Sequence, residues 1–127
     1  MTWAAGRPLV RLHPLDRDAT AFSTGGGVTG RFHFFHRADG LSVPALYAAE
    51  NNDAAIAETL FRDVPLSGLL KVVPRTRLAG LALSTIEPAR DLTLVELLGN
   101  GLRRLELSPE QLTSSAPADY PNTVAWA

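Results

Sequence analysis

The chain has 127 residues, a formal net charge of −1 and no cysteine. This length is typical of one folded domain, and the small charge gives no field that would hold nucleic acid or an anionic membrane. The absence of cysteine excludes disulfides, thiolate metal sites and a cysteine nucleophile. Because the sequence has neither a membrane-spanning apolar run nor a signal-peptide pattern, we expect a soluble cytoplasmic protein without direct contact to nucleic acid or membrane.

The first half of the sequence predicts short strands separated by loops. Residues 8–13 alternate between apolar and polar types, which indicates a strand. A loop rich in Gly, Ser and Asp covers residues 14–30, and the aromatic-rich residues 31–36 favour a second strand. The pair Asp39-Gly40 is typical of a turn, and residues 45–49 indicate a short buried strand.

Residues 51–63 predict the main helix. Asn52 is the expected N-cap, Asp53 suits the first turn, and Pro65 stops the helix. The residues expected to form its apolar stripe are Ile56, Ala57, Leu60 and Phe61.

The second half predicts a mixture of strands and helix starts. Residues 68–74 and 77–88 indicate strands, and residues 91–99 fit either a strand or a short helix. Residues 108–111 have the pattern of a capping box at a helix start, and residues 123–127 fit the first turn of another helix. The sequence therefore predicts an α+β fold in one domain.

Two sequence patterns resemble known site motifs but lack the neighbouring elements or residues that those sites require. Residues 25–30 match the glycine spacing of a dinucleotide fingerprint, but a strand-like segment follows them where a helix is required. The three histidines are His13, His33 and His36. None has companion ligands at a familiar spacing, so we expect no metal site.

Arg31, Tyr47 and Glu58 each have an ordinary structural explanation. The arginine suits a solvent-facing strand position, and the tyrosine suits a core position with its hydroxyl at the surface. The glutamate has Arg62 four residues later, the spacing of a helix-surface ion pair. Pattern alone therefore does not make these residues a site.

Four sequence blocks, in this order, resemble the RES-domain family, the toxin half of bacterial toxin–antitoxin pairs. They are "VRLHP" (residues 10–14), "GRFHFF" (30–35), "ALYAAENNDAAIAETLF" (45–61) and "YPNTVAWA" (120–127). The resemblance implies a compact ADP-ribosyltransferase-like fold, with mixed or antiparallel sheets, short helices and a cleft for NAD⁺. It also implies cleavage of NAD⁺ at the nicotinamide–ribose bond by hydrolysis or phosphorolysis. NAD⁺ is then a substrate, joined by inorganic phosphate in the second case, and no prosthetic group is needed.

The resemblance places the family's functional positions on Arg31, Tyr47 and Glu58. Glu58 would stabilise the oxocarbenium-like ribose cation, which makes it a catalytic residue together with Arg31. Arg31 would also hold the pyrophosphate through two hydrogen bonds. Tyr47, with Phe32, would supply an aromatic surface for the nicotinamide.

The family pattern continues beyond the block at residues 120–127 to a functional serine that this sequence does not contain. We therefore expect residues 1–127 to be a C-terminally truncated RES-like domain. Two alternatives stay open: an inactive remnant that only binds NAD⁺ or the antitoxin, and a protein ADP-ribosyltransferase. The implied partner is a helix-turn-helix antitoxin, and the expected assembly is either a homo-oligomer or a toxin–antitoxin hetero-oligomer.

Overall fold

The computed structural model describes residues 1–24, 35–61 and 72–112. The chain contains two compact units. The first unit consists of Met1–Trp3, Phe22–Leu46 and Thr93–Ala127, and the second consists of Ala4–Ala21 and Tyr47–Leu92. The prediction of one domain over residues 1–127 stays a prediction.

The described elements are short strands and short helices. The strands are β1 (Thr2–Trp3), β2 (Leu9–Pro14), β3 (Phe35–His36), β4 (Ser42–Val43), β5 (Leu81–Ile86) and β6 (Leu92–Thr93). The helices are α1 (Asn52–Ile56), α2 (Arg75–Ala79) and α3 (Asn100–Arg104), and a π-helical turn, Ala57–Phe61, directly follows α1. Strand β2 pairs antiparallel with β5, and β3 pairs antiparallel with β4, so the predicted α+β class with small antiparallel sheets is confirmed.

Strand β2 is the centre of the second unit. It pairs antiparallel with β5, from Leu9 opposite Ile86 to Pro14 opposite Leu81. On its other side, the backbone N–H and C=O of Val10 exchange hydrogen bonds of 2.8 and 2.7 Å with Ala49. The predicted strand at residues 8–13 is therefore confirmed, and it anchors the chain on both of its edges.

Strand β5 occupies only the later part of the predicted strand at residues 77–88. Helix α2 takes up the beginning of that range, because Pro74 precedes a run of good helix formers and Gly80 ends it. In the described part of the other predicted strand, residues 72–74, the backbone forms no strand.

The N-cap of α1 lies one residue earlier than predicted. The side chain of Asn51 accepts a 2.9 Å hydrogen bond from the backbone N–H of Ala54, so Asn51 is the N-cap. The prediction of Asn52 in this role is wrong, because Asn51 is the residue that keeps an extended backbone with φ of −151°.

The predicted apolar stripe is also wrong in part. Ala57 and Phe61 are exposed, whereas Ala55 and Leu60 are buried. These two buried residues are five apart, which matches the hydrogen-bond spacing of a π-turn rather than the three- or four-residue spacing of an α-helix.

The prediction of a buried strand at residues 45–49 is wrong. Ala45 forms an isolated bridge with Ser23, and Ala49 forms a separate one with Val10. Because each bridge has a different partner, no continuous ladder forms between them. Tyr47 lies between the two bridges and is 54% exposed.

The first unit contains the β3–β4 hairpin. Phe35 pairs with Val43 and His36 with Ser42. The amide of Gly40 donates to the carbonyl of Arg37, and its φ of 81° is one that glycine adopts without strain. The predicted turn at Asp39-Gly40 is confirmed.

The remaining described part of the first unit contains α3, which the sequence did not predict. Its first turn needs glycine at position 101, because a Cβ atom there would overlap the backbone of Glu96. Leu102 follows and is buried. The predicted capping box is confirmed by reciprocal hydrogen bonds between Ser108 and Gln111, although the described chain there forms only a turn.

Candidate functional site

The structure describes two of the four predicted site residues. Tyr47 and Glu58 both belong to the second unit. Arg31 and Phe32 lie outside the described residues, as does the glycine-rich segment at residues 25–30. The predicted ion-pair partner of Glu58, Arg62, lies outside them as well.

Tyr47 lies on a segment that β2 holds in place. Two residues after the tyrosine, Ala49 exchanges backbone hydrogen bonds with Val10, and the next residue, Glu50, forms an ion pair with Arg7. The backbone pair does most of the anchoring, since an exposed ion pair contributes little. The tyrosine ring thus presents exposed aromatic surface from a fixed stretch of backbone.

Glu58 lies in the π-helical turn that follows α1. It is exposed, and the two buried residues Ala55 and Leu60 lie on either side of it in the sequence. Single π-turns are rare and occur frequently at functional sites. An exposed carboxylate on such a turn can contact a ligand while the turn itself remains packed.

His13 is a buried structural residue. Its Nδ1 lies 2.9 Å from the carbonyl of Pro14, and its Nε2 lies 2.9 Å from the hydroxyl of Ser84. A carbonyl only accepts, so Nδ1 carries the hydrogen in the neutral ring and Nε2 accepts from the serine hydroxyl. Both ring nitrogens are therefore used, Nδ1 within β2 and Nε2 in joining β2 to β5, and neither is available as a metal ligand.

Arg11 lies on the same side of β2 as His13 and holds the loop that follows the strand. Its Nη1 donates hydrogen bonds of 2.6 and 2.7 Å to the carbonyls of Ala19 and Ala21. Burial lowers the pKa of the guanidinium, and the nearby carboxylate of Asp18 partly offsets that effect.

Asp18 organises the same loop from within. Its Oδ1 accepts hydrogen bonds of 2.6 Å from both the amide and the hydroxyl of Thr20, and these bonds lower the pKa of the carboxyl. Sequence reasoning missed this loop structure, although Asp followed two residues later by Thr is the pattern of a local turn of this kind.

The described residues contain neither a cluster of metal ligands nor a membrane-spanning helix. Over residues 1–24, 35–61 and 72–112, no group of three or more His, Asp or Glu side chains could hold a metal ion. None of the helices in the same ranges has the length and apolar character needed to cross a membrane.

Comparison with known protein families decides the classification. The model of the RES domain matches residues 8–127. The chain belongs to the RES domain family. The resemblance that the four sequence blocks indicated is thereby confirmed, and the RES domain includes Tyr47 and Glu58. Comparison with curated proteins gave no match, and comparison with solved structures gave none either.

Proposed function

We propose that this RES domain is the toxin of a type II toxin–antitoxin pair and depletes NAD⁺ by cleaving its nicotinamide–ribose bond. The observation that carries the proposal is the exposed carboxylate of Glu58 on a π-turn within the matched region. The resemblance in motif order supports the assignment of Glu58 and Tyr47 to the family's functional positions.

Cleavage of the glycosidic bond leaves positive charge on the ribose. The C1′–N bond breaks and its electron pair leaves with the nicotinamide, so the sugar passes through an oxocarbenium-like transition state. The carboxylate of Glu58 stabilises that cation and holds ribose hydroxyls. A water or phosphate oxygen then bonds to C1′, and for water a proton is released.

The other site residues would bind the rest of NAD⁺. Tyr47 presents the exposed aromatic surface that a flat nicotinamide needs, and Phe32 adds to it. Arg31 suits the pyrophosphate, since a guanidinium forms paired hydrogen bonds with phosphate oxygens. The roles of Arg31 and Phe32 rest on family resemblance.

The proposal extends to fold and partner on the same family basis. We propose an ADP-ribosyltransferase-like arrangement that acts in the cytoplasm, with a helix-turn-helix antitoxin as the partner in a hetero-oligomer.

The deciding experiment follows nicotinamide release. Purified protein is incubated with NAD⁺, with and without inorganic phosphate, and free nicotinamide is measured over time. We expect release by the wild type and loss of nearly all of it in Glu58→Gln, because the neutral amide cannot stabilise the ribose cation. Glu87→Gln is the matched control, since it removes another exposed carboxylate of the second unit and should leave release unchanged.

The same experiment separates the two alternatives. NAD⁺ binding without nicotinamide release would leave only the inactive remnant. Transfer of labelled ADP-ribose to a protein would indicate a protein ADP-ribosyltransferase. Equal release by the wild type and Glu58→Gln would refute the role of Glu58.

A further inference from the structure

We propose that the π-turn Ala57–Phe61 positions Glu58, and that an α-helical continuation of α1 would not place the carboxylate correctly. The inference rests on the proposed function and adds a structural requirement to it. The turn is short, but it contains Glu58 and it follows α1 without interruption.

The first step concerns which residues after Ala55 are buried and which are exposed. In an α-helix, the residue that shares a face with Ala55 is the one four positions later, Thr59. Here Thr59 is exposed, and Leu60, five positions later, is buried instead. The π-turn therefore brings an apolar side chain into the core where an α-helix would bring a hydroxyl.

The second step concerns the residues between these two anchors. Ala57, Glu58 and Thr59 form an exposed run of three, with Glu58 in the middle. A π-turn amounts to one extra residue in a helix, and the extra residue is accommodated in this run. The direction of the Glu58 side chain therefore depends on the π-helical geometry of the backbone as well as on its own rotamer.

The third step concerns what keeps the unusual turn in place. Rare backbone geometry persists where the surrounding structure holds it. Leu60 is buried, and Nη2 of Arg77 on α2 lies 3.4 Å from the carbonyl of Thr59, within the second unit. The turn is therefore supported by the packing of Leu60 and by the hydrogen bond from Arg77 to the carbonyl of Thr59.

Two single-residue deletions test the proposal. Deleting Ala57 or deleting Thr59 leaves Leu60 four residues after Ala55, so both variants can form a regular α-helix with the same two buried anchors. They differ in the number of residues between Ala55 and Glu58, so each tests independently whether an α-helix can place the carboxylate.

Nicotinamide release and thermal unfolding are measured for both deletions. We expect a Tm no lower than the wild-type value in each. Deleting Ala57 should lower kcat by on the order of a hundredfold, the cost of a misplaced catalytic group, with KM much less affected. Deleting Thr59 should lower kcat to a similar extent, because it also replaces the π-turn with an α-helix. Wild-type kcat in either folded deletion variant would overturn the proposal.

Thiol labelling tests the proposal independently if the deletion variants do not fold. Because the chain has no cysteine, single-cysteine variants at positions 55, 57, 58, 59 and 60 report their own exposure through thiol labelling. We expect slow labelling at 55 and 60 and fast labelling at the three positions between them. Protection at position 59 instead of 60 would show an α-helix and overturn the inference.

The two proposals fail in different ways. If wild-type protein releases no nicotinamide, the proposed function is refuted, whatever the labelling pattern. If the wild type is active and position 59 is protected, the proposed function stands and the role of the π-turn is refuted.

Discussion

The partly buried side chain of Arg11 holds the loop after β2 in the second unit. One nitrogen atom donates to two backbone carbonyls, those of Ala19 and Ala21, so a single residue closes the loop after β2. His13 lies on the same side of the strand, and its two ring nitrogens form hydrogen bonds with the carbonyl of Pro14 and the hydroxyl of Ser84. The polar side of β2 is thus used for structure.

Replacing Arg11 with methionine should therefore destabilise the protein. Methionine keeps most of the aliphatic stem but leaves the two carbonyls without their donor, and we expect a loss of about 1–2 kcal/mol in the free energy of unfolding. Urea denaturation measures it. Arg90→Met, at an exposed position, is the control. An unchanged midpoint for Arg11→Met would show that the loop does not depend on this side chain.

At the scale of elements, the start of α1 is set by a single side chain. Asn51→Ala should cost about 1 kcal/mol of stability, because it removes the acceptor for the amide of Ala54. Asn52→Ala is a close control, since the same type of residue is lost one position later, inside the helix. Thermal or urea unfolding compares the two. A larger effect at Asn52 would contradict the cap seen in the structure.

The sequence predicted those elements whose signal is local. Alternation over residues 8–13 identified β2, and Asp39-Gly40 identified a turn, because strand faces and turn dihedrals depend on neighbouring residues. The π-turn could not be predicted in this way. Ile56, Ala57, Leu60 and Phe61 fit an α-helical stripe, and packing within the second unit buries Ala55 together with Leu60 and leaves Ala57 and Phe61 exposed.

The family resemblance behind the candidate site was predictable from the sequence, but the geometry around Tyr47 was not. The order of motifs singled out Tyr47 and Glu58, and the family match confirms the resemblance on which that choice rests. The exposure of Tyr47 contradicts the buried strand expected around it, because the two bridges beside it have different partners. Pairing with distant residues produces no periodic pattern in a five-residue segment, so the local sequence could not predict it.

For the whole molecule, NAD⁺ should raise the stability of the folded chain. A ligand at one hundred times its Kd stabilises a protein by about 2.7 kcal/mol when it binds only the folded state. Thermal unfolding of Glu58→Gln with NAD⁺ measures the effect without turnover, and nicotinamide alone is the control ligand. An unchanged Tm at millimolar NAD⁺, in a variant that keeps the wild-type Tm without ligand, would argue against an NAD⁺ site.

The bridge between Ser23 and Ala45 has a consequence for how the chain can vary. Its two backbone hydrogen bonds, of 2.7 and 3.0 Å, bring together the ends of the stretch that contains Arg31 and Phe32. Both bonds join backbone atoms, so the side chains at positions 23 and 45 can vary while the bridge that brings these two ends together is kept.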